Sequence, residues 1–141
     1  MKKWNPLNHT SDYAFRVYGR TVKDLFINSV FALVESIFGN FKISDDQSTS
    51  INKAVNIESL DQETLIIDWL RNILELILFD NLIPINIVQL EIYSQNLSAQ
   101  LKLTKIPVDT SYNIDIKAIT YHDVKIVLTE GLYQVDIVCD I

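Results

Sequence analysis

The sequence predicts an α+β fold: two helices packed on a mostly antiparallel sheet, in the order β-α-β-α-β-β-β-β. Three observations predict it. Two stretches carry apolar residues at helical spacing. After Pro84 the pattern turns to β for the rest of the chain, with period-two alternation in three of its stretches. Only three glycines and three prolines interrupt 141 residues, which leaves room for long, regular elements.

The first strand is expected from Asp12 to Tyr18, where Tyr13, Phe15 and Val17 alternate with Asp12, Ala14 and Arg16. Gly19 ends it. Thr21 then opens a helix as N-cap, with Asp24 three residues on. Leu25, Phe26, Val30, Leu33, Val34 and Ile37 form its apolar stripe, and Gly39 stops it. The polar stretch from Ser44 to Ser50 reads as a loop, and Ile51 to Ile57 as a second strand. Two caps compete for the second helix, Ser59 with Gln62 or Asp61 with Thr64, and the sequence leaves both open.

That helix is expected to run to Phe79. Leu65, Ile66, Trp69, Leu70, Ile73, Leu74 and Ile77 cover one side, with Ile67 and Leu78 beyond. A helix this apolar packs on a sheet and on its neighbouring helix. Val88, Leu90 and Ile92 mark the next strand, and Leu97, Ala99, Leu101 and Leu103 the one after. A long run from Ile114 to Leu128 follows. Thr129-Glu130-Gly131 then reads as a hairpin turn into the last strand, Leu132 to Ile141.

The length fits a single domain spanning residues 1–141. Cys139 is the only cysteine, so an internal disulfide and a cysteine-rich zinc site are both excluded. Met1-Lys2-Lys3 is followed by Asn5, Pro6, Asn8 and His9 instead of the apolar run of a signal peptide. Asp68, Arg71 and Glu75 break the richest apolar stretch before it reaches the about 20 residues of a membrane span. These features lead us to expect a cytoplasmic protein. The net charge is −6, which gives phosphate neutralisation little to work with, so direct nucleic-acid binding is not expected. Acidity of this kind suits metal binding or a basic protein partner, and it also serves solubility.

Strand parity singles out one constellation. In the last strand Tyr133, Val135, Ile137, Cys139 and Ile141 face the core, while Gln134, Asp136 and Asp140 face outward and Val138 is the exception. If the first and last strands are antiparallel neighbours, Asp12 meets Asp140 on the outer face beside the terminal carboxylate of Ile141. Crowded carboxylates repel, and a bound cation removes that cost. Oxygen ligands without a thiolate favour Ca²⁺ or Mg²⁺ over zinc. Solvated strand-end aspartates are the plainer reading.

Four blocks also carry a family resemblance. His9-Thr10-Ser11-Asp12 resembles the His-Thr-Ala-Asp signature of archeases. Asp61 through Leu70 resembles the family's second helix, which opens on an acidic residue. Lys117-Ala118-Ile119-Thr120-Tyr121-His122 is similar to its Lys-Ala-Val-Thr-Tyr-His signature, and the chain ends Asp140-Ile141 as archeases typically end in Asp followed by Ile or Leu. The resemblance implies an accessory role, not an enzymatic one. Archeases assist an RtcB-type RNA ligase in tRNA splicing, promoting its guanylylation and multiple turnover. They bind a divalent metal, usually assigned as calcium, and the matching ligands here are Asp12, Asp140 and Ile141. The sequence departs from the family pattern at Tyr13-Ala14, at Lys105-Ile106-Pro107-Val108 and around Tyr112-Asn113.

Three further residues are candidates for partner contact: His9, Asp61 and His122. Parity groups His122 with Ala118, Val124 and Ile126, which reads first as a hydrogen-bonded core histidine. Asp61 reads first as a helix cap, and Cys139 as inert packing. No nucleophile-base pair, phosphate loop or zinc spacing is present. Two alternatives to ligase activation remain at this stage: a general chaperone or interaction module, and a small metal-dependent hydrolase using Asp12 and His122.

Overall fold

Period-two patterning builds two antiparallel sheets, not one. The computed structural model describes residues 2–8, 12–39 and 50–141. Its elements are β1 (Trp4–Leu7), β2 (Tyr13–Gly19), α1 (Val22–Phe38), β3 (Ile51–Glu58), α2 (Gln62–Leu78), β4 (Leu82–Tyr93), β5 (Asn96–Lys105), β6 (Ala118–Ile119), β7 (Val127–Thr129) and β8 (Leu132–Asp140). The expected series of two helices and antiparallel strands runs through this list in order. It gains a short strand in front, and the stretch from Ile114 to Leu128 yields two short strands. The loop expected from Ser44 lies outside the described residues except for Ser50.

One sheet has the order β1-β2-β8-β6, with β7 also paired to β8, and the other has the order β3-β5-β4. The division follows from β8: its second edge is taken by β6 and β7, and neither reaches the other sheet. β1 carries Pro6 opposite Phe15, and β1 is an edge strand, the place where a residue without an N–H is tolerated. Its alternation is too short and too polar to be read as a strand from sequence.

Both helices begin as local chemistry dictates. The Thr21 side chain accepts from the Asp24 N–H at 3.0 Å. Asp61, not Ser59, caps α2, accepting from the Thr64 N–H at 2.7 Å. Ser59 is occupied elsewhere, since its hydroxyl donates to Asp68 Oδ2 at 2.6 Å. Gly39 closes α1 at φ +69°, with its N–H on the Glu35 carbonyl at 2.7 Å. Gly19 has a different task. A Cβ there would stand 2.5 Å from the backbone nitrogen of Leu25, so only glycine lets the end of β2 pass this close to the first turn of α1.

Phe15 and Val17 of β2, Val135 and Ile137 of β8, Leu101 and Leu103 of β5, and the apolar faces of both helices form one contiguous core. Trp69 is its largest fully buried side chain, and its indole Nε1–H donates to the Phe26 carbonyl at 3.0 Å, tying α2 to α1. The expectation that α2 packs on both sheet and helix is met by this arrangement. On the outer face, Arg16 stands opposite Asp136 in register and binds it in bidentate fashion at 2.7 and 3.0 Å. The hairpin turn into β8 has Glu130 at φ +52° and Gly131 at φ +81°, the paired left-handed geometry of a two-residue turn.

Candidate functional site

β2 and β8 are antiparallel neighbours in the register on which the acidic constellation depends. Their last pair is Tyr13 with Cys139, and Asp12 and Asp140 are the next residues in sequence on either strand. Asp12 is half-buried, and Asp140 and Ile141 are exposed. On its other side Asp140 pairs with Ala118, and its carbonyl accepts from the Lys117 N–H at 2.8 Å. Ile141 lies beyond the end of β8 and is 54% exposed, so it does not join Val135, Ile137 and Cys139 in the core as parity suggests. Pairing stops at Asp140, and with it the alternation.

Among the described residues no group of three or more His, Cys, Asp or Glu side chains is arranged to hold a metal. Asp12 and Asp140 are the side-chain carboxylates nearest this end of the β2–β8 ladder among the described residues. The available donors are hard oxygens, which suit Ca²⁺ or Mg²⁺. Cys139 contributes nothing here. It is fully buried, and burial first, then the charge of Asp140, push its thiol up to about 12. Two consequences follow. Native protein at pH 8 should resist alkylation by iodoacetamide and label fully after unfolding, as mass spectrometry would show. Because the folded thiol titrates above the unfolded one, its stabilising effect is complete below the unfolded value of 9.0 and is lost as pH rises towards 12, so alkaline pH should lower the melting temperature.

The other candidate residues separate. His9 lies outside the described residues. Asp61 is exposed at the start of α2, and the backbone N–H of Thr64 holds its carboxyl below the usual range. His122 is not a core histidine. Its side chain is 70% exposed, with Nε2 at 3.1 Å from Asp123 Oδ2. The reason is that β6 ends at Ile119 and Asp123 adopts φ +48° in a turn, so strand parity no longer applies at His122.

The segment between β6 and β7 is instead held by α2. Tyr121 donates its hydroxyl to Asp68 Oδ1 at 2.5 Å and accepts from Arg71 Nη1 at 2.9 Å. The Arg71 guanidinium also lies 4.8 Å from the centre of the Tyr121 ring. The Ile126 N–H donates to Glu63 Oε2 at 3.1 Å. The hydrogen bond to Asp68, and then burial, raise the Tyr121 phenol above its ordinary value. Asp68, Arg71 and Tyr121 were not selected from sequence. One signal was present: Asp68 and Arg71 are charges three residues apart within the most apolar stretch of the chain.

The sequence blocks thus converge. β2 begins just after Asp12 and pairs with β8, which ends at Asp140; β6 (Ala118–Ile119) also pairs with β8, and Tyr121 ties the chain after β6 to α2. A sequence model of the Archease protein family (MTH1598/TM1083) matches residues 4–141. The chain belongs to the archease family. It is 30% identical to the archease of Methanosarcina barkeri, over 99% of this chain and 97% of that protein. It is 27% identical to the archease of Sulfurisphaera tokodaii over 100% of both. The archease fold is also seen in the solution structure of Methanobacterium thermoautotrophicum protein 1598, with a TM-score of 0.74 at 22% identity and full coverage of both chains. A Thermotoga maritima crystal structure described as an archease and possible chaperone matches with a TM-score of 0.64 at 20% identity, covering 97% of this chain and 96% of that one.

Where this archease departs from the family pattern, the substituted residues have structural partners. The Tyr13 hydroxyl shares a 2.7 Å hydrogen bond with Ser36 of α1, and Ala14 is buried. Ile106 is buried and donates its N–H to the Asn81 carbonyl at 3.0 Å. The Asn113 N–H reaches the Ile37 carbonyl at 2.6 Å, and Tyr112 packs on Phe38 with ring centres 5.3 Å apart.

Proposed function

We propose that this chain is a non-catalytic, cytoplasmic accessory protein that activates an RtcB-type tRNA-splicing RNA ligase. It promotes guanylylation and multiple turnover through an acidic site that binds a divalent metal, Ca²⁺ above all. Membership of the archease family carries the reading. The β2–β8 register supports the site, because its last pair, Tyr13 with Cys139, directly adjoins Asp12 and Asp140 in sequence. With an ion bound, the carboxylates of Asp12, Asp140 and Ile141 would hold it, and it would offset their mutual repulsion. Arranged this way, the residues order the exposed end of the sheet for contact with the ligase. His122 and Asp61 are both exposed and are available as contacts.

The test is RNA joining by a cognate ligase with substrate in excess, with and without this protein. Stimulated turnover and guanylylation are expected, and no gain at any ratio of the two proteins would overturn the reading. A second reading, a general chaperone or interaction module, is favoured by exposed apolar side chains such as Phe79, Leu60 and Tyr93, each at least 80% exposed. Suppressed aggregation of unrelated clients, without ligase stimulation, would support it. Among the described residues no helix is long and apolar enough to cross a membrane.

A further inference from the structure

Arg71 occupies an unusual position for a charged helix residue. Asp68 stands three residues before it and Glu75 four after, the two spacings at which a helical arginine ordinarily finds a carboxylate. Yet among the described residues Arg71 makes no ion pair. Asp68 is already taken: Ser59 donates to one oxygen at 2.6 Å and Tyr121 to the other at 2.5 Å. Tyr121 in turn accepts from Nη1 of Arg71 and lies beneath its guanidinium. The tyrosine therefore consumes the acid and fixes the base, leaving the remaining guanidinium donors uncommitted.

Arg71 borders a depression of about 130 Å³, whose lining also includes Glu75, Leu78, Phe79, Lys117 and Ile119. That is several times the roughly 30 Å³ share of a water molecule in the liquid. Lys117 likewise makes no ion pair among the described residues. Two cations that make no ion pair among the described residues thus line one small hollow in a chain whose net charge is −6. A planar fork of donors beside an ammonium is the recognition chemistry of an oxyanion. Glu75 on the same lining opposes an anion and sets a modest affinity.

We propose that this depression is an oxyanion site that takes one phosphate group, held by Arg71 and Lys117, with Tyr121 as the positioning residue that keeps the guanidinium free. The phosphate comes either from inorganic phosphate or from a nucleoside triphosphate. The site needs neither the ligase nor a metal, so it stands or falls separately from the proposed function.

The test is an amide-resolved NMR titration of the full chain with inorganic phosphate, in EDTA and at constant ionic strength so that screening does not vary. Saturable shifts are expected at Arg71, Lys117, Ala118 and Ile119. Arg71→Gln and Lys117→Gln should each weaken binding on the order of tenfold, and Glu75→Gln should tighten it. Tyr121→Phe is the discriminating variant. It leaves the net charge unchanged but releases Asp68 to pair with Arg71, so phosphate should bind several-fold more weakly. A parallel arm with a nucleoside triphosphate separates the sources: tighter saturation than with phosphate assigns the nucleotide, and equal saturation assigns the free ion. Shifts that do not saturate, shifts centred elsewhere, or a Tyr121→Phe protein that is folded and binds as the parent does would overturn the proposal.

Discussion

Replacing Trp69 with alanine should destabilise the protein by about 3–5 kcal/mol, the range for emptying a fully buried aromatic site. Domains have about 5–15 kcal/mol of total stability, so this one change removes a large share of it. Trp69 sits where α1, α2 and the sheets meet, with no exposed surface. Its indole is also the hydrogen-bonded link between the helices, through the Phe26 carbonyl. That carbonyl has a second donor in the Ser29 hydroxyl at 2.7 Å and is not orphaned by loss of the indole. Trp69→Phe, which keeps most of the volume, should therefore cost much less than Trp69→Ala. Urea unfolding at equilibrium measures both. Equal losses in the two variants would show that the indole hydrogen bond, and not the filled volume, carries the stability.

Asp12→Ala should weaken Ca²⁺ binding on the order of tenfold or more and remove most of the ligase stimulation. The change deletes one carboxylate of the proposed set and leaves the β2–β8 pairing intact, because Asp12 lies just before the first paired residue. Calorimetry with Ca²⁺ and multiple-turnover joining are the two readouts. A variant that loses calcium but still stimulates would assign the metal a structural role. One that keeps both functions would remove Asp12 from the site. Appending residues after Ile141 should displace the carboxylate this sequence carries there and reduce calcium affinity, with the fold unaffected, since Ile141 lies outside β8.

Much of this protein was legible from local rules. Thr21, Gly39 and the Thr129-Glu130-Gly131 turn acted where the sequence placed them, because caps and turns involve neighbours within a few residues. The inward faces of β2 and β8 followed from parity, since a strand with one buried face cannot slip by a residue without exposing its core. The same parity argument puts Asp12 beside Asp140 in the proposed site, and the β2–β8 ladder ends one residue short of that pair. Short elements were harder to read. Trp4–Leu7 has too few residues for a period to emerge, and it is a strand only because β2 offers an edge.

His122 shows where local rules stop. Alternation predicts a buried side chain only while the backbone stays paired, and whether it stays paired is not a local property. The backbone leaves β8 after Thr120 because α2 offers stronger partners: Asp68 and Arg71 for Tyr121, and Glu63 for the Ile126 N–H. Those groups lie 50 to 63 positions away in sequence. The sequence by itself determined the helices, the strand faces and the family blocks, since each depends on composition and spacing within one element. Only the tertiary structure decided the split into two sheets, the exposure of His122 and the engagement of Arg71 by Tyr121, because each depends on hydrogen bonds between groups distant in sequence.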